Sequence, residues 1–182
     1  DVNKNETENK EGTKNEEAVG IGGAETNEVE EASADEGTEK KDKSQMEIDA
    51  ECVKEKYSFK LPLKGVITSR YGSREATEIV SANHKGIDIG ANTGTAIYAA
   101  MEGTVSLVSL EGDYGKHVEI TNGEVLTRYA HCSKIVVKEG AKIKQGQKIA
   151  EVGSTGRATG PHLHFEVIRD GRTINPEYIL KF

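Results

Sequence analysis

The sequence lacks most of the short motifs by which hydrolases, nucleotide-binding proteins and membrane proteins are commonly recognised. No apolar run approaches the roughly 18 residues that a membrane-spanning helix needs. A Gly-x-Ser-x-Gly elbow, a His-Glu-x-x-His motif and a Cys-x-x-Cys pair are all absent. The glycine-rich run at residues 153–160 lacks the Walker spacing and its Gly-Lys-Ser/Thr ending. We therefore interpret this run as a flexible loop beside a functional site rather than as a phosphate-binding loop.

Cysteine is also scarce, with Cys52 and Cys132 as its two occurrences. Their spacing gives no support for a disulfide, and we predict that Cys132 is a small buried apolar residue. The cysteines therefore do not indicate a redox compartment.

Aromatic residues are missing from residues 1–56, whereas all nine lie between Tyr57 and Phe182. The first segment carries 18 acidic and 8 basic side chains, a net charge of −10, and the second carries 13 and 16, a net charge of +3. A strongly charged segment of low hydrophobicity cannot bury enough apolar surface to offset its chain entropy. We therefore predict a disordered acidic tether at residues 1–56 and one folded domain at residues 57–182.

A solvated linker is the simplest role for this tether, and a docking segment for a partner protein is the alternative. We predict no nucleic-acid partner, because the overall charge of the chain is −7. The chain begins at Asp1 rather than at methionine, from which we expect a signal peptide or a membrane anchor upstream of it.

Short runs of strand-forming residues separated by glycines fill residues 57–182, and no long stretch shows helical apolar spacing. These runs predict a mostly β fold, a compact domain of antiparallel β-sheet whose loops carry the chemistry. Asn175-Pro176-Glu177 predicts one short helical turn near the C terminus.

Asn122-Gly123 lies between two of these runs and predicts a two-residue hairpin turn. In that register His117 pairs with Arg128, so that His117 lies on the face opposite His131. Cys132 also lies opposite His131. We therefore exclude His117 and Cys132 from the site.

Four of the five histidines fall in three short motifs, which are His84-x-x-x-Asp88, Tyr129-Ala130-His131 and His162-Leu163-His164. Zinc binds histidine nitrogen and aspartate oxygen, and a catalytic zinc site keeps one position for water. Imidazoles concentrated beside one carboxylate therefore indicate a mononuclear zinc site. This pattern also makes an enzyme the favoured class of protein.

Strand geometry assigns some of these side chains to a common cavity. Alternate residues of a strand share a face, so His162 and His164 point the same way, as do Tyr129 and His131. His84 and Asp88 would be too far apart in a straight strand. We therefore predict that His84 lies on a loop that bends at Gly86, and that Asp88 begins a strand.

These residues resemble the signatures of the M23 metallopeptidases, the lysostaphin- and LytM-type peptidoglycan endopeptidases. The resemblance extends from about Phe59 to Leu180 and rests on residues 84–89, 129–131 and 160–166. It implies an antiparallel β fold with a groove, built on a duplicated hybrid motif, and one bound Zn²⁺. By this resemblance the metal ligands are His84, Asp88 and His164. The catalytic pair, which handles the water proton and the developing oxyanion, is His131 and His162.

Two positions depart from the pattern of this family. Cys132 stands where the family often has leucine after the histidine, a change that we expect to affect packing rather than chemistry. No tyrosine lies in the loop just before His84, where some members use one near the transition state. A supplementary stabilising group is therefore missing from that loop.

The resemblance predicts zinc-dependent hydrolysis of a peptide bond in bacterial peptidoglycan by an extracytoplasmic protein, secreted or membrane-anchored at the cell envelope. Glycine bridges and D-amino-acid stem links both stay open as the bond that is cut. One alternative is a zinc-bearing scaffold without hydrolytic activity, of the sporulation protein Q type, whose tether docks an envelope protein. Another is a lipoyl-type carrier or phosphotransfer domain, although no Asp-Lys pair occurs in the candidate hairpin.

Overall fold

Thirteen short strands dominate the computed structural model, which describes residues 43–182. The strands are β1 Val66–Ser69, β2 Gly72–Ser73, β3 Asn83–His84, β4 Ile87–Gly90, β5 Ala96–Tyr98, β6 Gly103–Ser109, β7 His117–Asn122, β8 Val125–Ala130, β9 Cys132–Ile135, β10 Lys142–Ile143, β11 Lys148–Val152, β12 His162–Arg169 and β13 Arg172–Ile174. The main sheet has the order β1-β4-β12-β8-β7-β6-β10, and β13 pairs with β12. A second sheet has the order β5-β11-β9, and β2 pairs with β3. These antiparallel sheets confirm the predicted mostly β fold.

The central strands of the main sheet have one apolar and one polar face. Ile87, Tyr129 and Phe165 are fully buried in the core, and the rings of Tyr129 and Phe165 lie 5.3 Å apart. Asp88 and His164 alternate with these residues along their strands and so point to the other face. The sheet therefore packs the core on one side and carries polar side chains on the other.

The hairpin between β7 and β8 forms in a register different from the predicted one. Its turn is Gly123-Glu124, and Asn122 pairs with Val125. Gly123 has a φ of 56°, and the first turn position of a type II′ hairpin is where glycine is needed. The predicted pairing of His117 with Arg128 is therefore wrong, and Arg128 pairs with Glu119.

Helix α1, Gln45–Lys56, lies in the segment that the sequence predicts as tether. A capping box at Ser44 starts this helix, with Ser44 Oγ accepting from the Glu47 backbone N–H at 3.4 Å. Ala50 and Val53 are buried in the core cluster. The prediction of disorder is wrong for residues 45–56, because a cap and a narrow apolar stripe suffice once the helix packs on the domain. The rest of the predicted tether, residues 1–42, lies outside the described residues.

The C-terminal turn predicted at Asn175-Pro176-Glu177 forms as a 3₁₀ helix at Pro176–Tyr178. Its N-cap is Asn175, whose Oδ1 accepts from the Glu177 backbone N–H at 3.0 Å. Within residues 43–182, no helix has the length and apolarity to cross a membrane.

Candidate active site

A bend at Gly86 brings His84 and Asp88 together, as the sequence predicts. His84 ends β3 rather than lying on a loop, and Asp88 is the second residue of β4. A Cβ atom on residue 86 would lie 2.3 Å from the Phe165 carbonyl oxygen, so glycine is needed where the chain turns against β12. His84 Nε2 consequently lies 3.0 Å from Asp88 Oδ1.

Strand register brings His164 to the same point. His164 lies opposite Asp88 in the pairing of β12 with β4. Its Nδ1 atom is 2.8 Å from Asp88 Oδ1 and 3.0 Å from His84 Nε2. All three side chains are buried, and one donor atom from each lies within 4.8 Å of the others. The fold thus places the three predicted ligands around one position.

Hydrogen bonds on the far side of each ring decide which imidazole nitrogens face this position. His84 Nδ1 lies 2.7 Å from the Arg70 carbonyl oxygen, which can only accept, so His84 Nδ1 carries a proton and donates it. His164 Nε2 donates to Glu166 Oε1 at 2.9 Å. His84 Nε2 and His164 Nδ1 are therefore the atoms left to face Asp88 with their lone pairs.

Three electron-rich atoms this close to one another need a positive charge between them. Two imidazoles and one carboxylate are ligands that zinc prefers in catalytic sites, where a fourth position holds water. The carboxylate behind His164 is the outer partner that zinc-binding histidines commonly have. This donor set therefore fits a zinc ion.

His131 reaches the site through an irregular backbone conformation. Strand β8 ends at Ala130, and His131 has a φ of 61°, in the left-handed region. The prediction that Tyr129 and His131 share a face is therefore wrong, because Tyr129 is buried in the core while His131 lines the groove. The His131 N–H donates to the Tyr114 carbonyl at 2.9 Å, and His131 Nδ1 donates to the Thr155 carbonyl at 2.8 Å.

His162 faces His131 across the groove. The two ring centres are 4.8 Å apart, and His162 Nε2 lies 3.6 Å from Asp88 Oδ1. His162 Nδ1 donates to the Gly160 carbonyl at 2.8 Å. Each of the two rings therefore keeps a lone pair on Nε2. Burial lowers the pKa of His131 to about 4, so this imidazole is neutral and able to accept a proton at neutral pH.

A network of buried charged and polar side chains lies next to the predicted ligand His164. Glu166 Oε2 accepts from Arg128 at 2.5 Å, and Glu166 Oε1 accepts from the Tyr114 hydroxyl at 2.7 Å. Arg128 also donates to Glu119 at 2.7 Å, and its guanidinium lies 4.5 Å from the centre of the Tyr114 ring. Burial and the bond to Glu166 raise the pKa of Tyr114 to about 12, so its hydroxyl stays protonated. Glu166 is thereby held in place to orient His164.

The two residues excluded by the sequence analysis do not line the groove. Cys132 is buried, and burial raises the pKa of its thiol to about 12. His117 precedes Glu119 by two residues on β7, so the two share the polar face, contrary to the predicted orientation. Its ring lies 5.5 Å from that of Tyr114, which itself lines the groove.

A groove of about 330 Å³ surrounds these groups. Among the lining residues to which the sequence analysis assigned no role are Arg74, Tyr114, Arg157 and Glu166. Strand alternation could have identified Glu166, because it follows His162 and His164 at intervals of two residues. Arg74, Tyr114 and Arg157 come from loops, whose positions no periodicity in the sequence predicts.

An antiparallel β domain with two histidines and one carboxylate around a single point, and two further imidazoles beside them, has the construction of a metallopeptidase. The family model described as peptidase family M23 matches residues 82–176, more than half of the chain. The chain belongs to this family, as the resemblance predicted.

The chain is 40% identical over 112 residues to the peptidoglycan DD-endopeptidase ShyA of Vibrio cholerae, a match that covers 60% of this chain and 26% of that protein. It therefore spans about a quarter of the length of this curated relative. A zinc-containing peptidase from Vibrio cholerae has a similar structure, with a TM-score of 0.61 and 34% identity over 69% of this chain and 40% of that one. The catalytic domain of lysostaphin from Staphylococcus simulans has a TM-score of 0.57 and 28% identity over 62% of this chain and 90% of that domain.

Proposed function

We propose that this protein is a zinc-dependent endopeptidase that hydrolyses peptide bonds of bacterial peptidoglycan outside the cytoplasmic membrane. The observation that carries the proposal is the convergence of His84 Nε2, Asp88 Oδ1 and His164 Nδ1 on one point of a groove. Similarity to a relative named as a peptidoglycan DD-endopeptidase supports the substrate class. The same similarity favours a link between D-amino acids over a glycine bridge as the bond that is cut.

Three side chains of the site have a role in metal binding, and two have a role in proton transfer. His84, Asp88 and His164 would hold the zinc ion, which supplies a Lewis acid that polarises the scissile carbonyl and acidifies water. The Nε2 atom of His131 or His162 accepts the proton of the attacking water. That imidazole, which then carries a proton on Nε2, donates to the oxyanion and afterwards passes the proton to the nitrogen of the leaving amine.

The test is digestion of purified peptidoglycan, followed by mass spectrometry of the released fragments. We expect new amino termini in the presence of zinc and none after treatment with a chelator. His131→Ala should retain stoichiometric zinc and lose cleavage, because His131 contributes no ligand atom. Val136→Ala, an exposed substitution outside the groove, is the control and should cleave as the wild type does. Undiminished cleavage by His131→Ala would remove the role proposed for that residue.

The non-hydrolytic scaffold makes a different prediction in the same experiment. A scaffold would bind zinc but release no new amino termini at any zinc concentration. The structure favours hydrolysis, because all five predicted site residues are present and grouped in one groove. Membership of family M23 also favours a peptidase over a lipoyl-type carrier.

A further inference from the structure

The side chain of Arg74 joins a loop at the edge of the groove to Asp88. Arg74 Nη1 donates to Asp88 Oδ2 at 3.1 Å and to Ser69 Oγ at 2.8 Å. Arg74 Nε donates to the Ser81 carbonyl at 3.0 Å, and the Arg74 backbone N–H donates to the Ala82 carbonyl at 2.9 Å. One partly buried guanidinium therefore contacts a carboxylate, a hydroxyl and the backbone of the loop.

The two oxygens of Asp88 have separate partners as a result. Oδ1 faces His84 Nε2 at 3.0 Å and His164 Nδ1 at 2.8 Å, whereas Oδ2 faces Arg74. A carboxylate without such a partner can rotate and offer both oxygens to one cation. We propose that Arg74 is a positioning residue, which holds Asp88 so that a single oxygen points to the position shared by the two histidines. This inference rests on the zinc site of the proposed function.

The same guanidinium couples the metal site to the wall of the groove. Ile79, Val80 and Ser81 belong to the loop at residues 74–82 and line the groove. Because Arg74 binds both the Ser81 carbonyl and Asp88, the loop and the carboxylate share one anchor. A peptide that contacts the loop is therefore in contact with a segment fixed to a metal ligand.

The geometry of the guanidinium matters here in addition to its charge. Arginine presents several N–H donors in a rigid planar fork, whereas lysine concentrates its charge on one ammonium group. Arg74 uses donors on two nitrogens, directed toward Asp88, Ser69 and Ser81. A lysine at this position would keep the charge but could not reproduce this arrangement.

Arg157 provides a matched control, because it is a second arginine in the lining of the groove. Arg157 Nη2 donates to the Glu78 carbonyl at 3.1 Å, so it also touches the loop at residues 74–82. Its ion-pair partner in the described part of the chain is Asp113, at 3.4 Å. Replacing Arg157 therefore removes a loop contact without removing a contact to a predicted ligand.

The experiment measures zinc affinity of the full chain by competition with a chromogenic chelator at one fixed pH. We expect R74Q to weaken zinc binding about 10–100-fold, as loss of an outer partner of a ligand commonly does. R74K should weaken it as well, and R157Q should retain the wild-type affinity. If R74Q does not fold, the zinc affinity of R74K is the test.

A second readout separates positioning from a general effect on stability. The visible spectrum of the cobalt-substituted protein reports the coordination of the metal. We expect a weaker absorption band in R74Q, because Asp88 freed to bind through both oxygens raises the coordination number. R157Q should match the wild type, whereas a purely structural role for Arg74 would lower the melting temperature and leave the spectrum unchanged.

Three results would overturn the inference while leaving the proposed function intact. The first is an unchanged cobalt spectrum in R74Q, with or without a lower melting temperature. The second is tighter zinc binding in R74Q, which would mean that the guanidinium opposes the cation. The third is wild-type affinity in R74K, which would reduce the role of Arg74 to its charge. Wild-type protein that binds no zinc would instead overturn the proposed function together with this inference.

Discussion

Replacement of Glu166 by glutamine tests whether the charge network sets the protonation of the predicted ligand His164. Glu166 has no exposed side-chain surface, and it accepts from His164, Tyr114 and Arg128. A glutamine has one oxygen where glutamate has two. If its oxygen faces His164, its amide N–H₂ opposes the Arg128 guanidinium. If the amide is flipped, His164 must move its proton to Nδ1, the atom that faces Asp88.

Either orientation weakens metal binding. Loss of the outer partner of a zinc-binding histidine commonly costs about 10–100-fold in affinity, which corresponds to about 1.4–2.7 kcal/mol. The metal-free protein should also be less stable, because Arg128 loses one of its two buried carboxylate partners. We expect the free energy of unfolding to fall by about 2–3 kcal/mol, which is the usual contribution of a hydrogen bond between charged groups. Arg128 keeps its second partner, Glu119.

Two measurements separate these effects. Chelator competition gives the zinc affinity, and urea unfolding in the presence of excess chelator gives the stability of the metal-free protein. Glu119→Gln is the matched control, because Glu119 also binds Arg128 but has no contact with His164. We expect Glu119→Gln to lower stability and to leave zinc affinity unchanged. Equal zinc affinities in Glu166→Gln and the wild type would refute the reasoning about His164.

Three further substitutions test other parts of the structure. Asp49→Asn removes the buried carboxylate that ties α1 to two arginines, and it should cost about 2 kcal/mol in urea unfolding without changing zinc affinity. Although Asp49 is buried, those arginines hold the pKa of its carboxyl below the usual value. The difference in unfolding free energy between the wild type and Asp49→Asn should therefore shrink as the pH falls below about 4. Gly86→Ala should abolish zinc binding, because the added Cβ meets the β12 backbone at 2.3 Å. Gly115→Ala, whose Cβ would lie 2.4 Å from Thr155, should shift His131 and lower kcat while zinc stays bound. Unchanged peptidoglycan cleavage by Gly115→Ala would contradict this.

Features that depend on strand periodicity were predictable from the sequence. The alternation in His162-Leu163-His164 predicts a shared face, and both histidines line the groove. The bend between His84 and Asp88 was predictable because a straight strand separates them too far and Gly86 lies between them. These arguments need a local period and one glycine, and no knowledge of distant parts of the chain.

Features that depend on tertiary contacts were not predictable in this way. Helix α1 has a low average hydrophobicity, and its stability depends on burying Ala50 and Val53 against the domain. The hairpin register depends on whether Gly123 takes the first or the second turn position, and both fit the sequence. Arg74 and Tyr114 reach the groove from loops, and their side chains are fixed by contacts with Asp88 on β4 and Glu166 on β12. The sequence contains these residues without a signal of where they lie.

His131 is held in its position by tertiary contacts, whereas the predicted metal ligands are held by strand pairing. A left-handed conformation costs a non-glycine residue about 1–3 kcal/mol and persists where surrounding contacts determine it. Here the contacts are the bonds of His131 to the carbonyl oxygens of Tyr114 and Thr155. The predicted metal ligands His84, Asp88 and His164 are instead fixed on paired strands. A change in the loop that contains Thr155 can therefore move His131 relative to the metal site, because Thr155 binds His131 and forms no hydrogen bond with His84, Asp88 or His164.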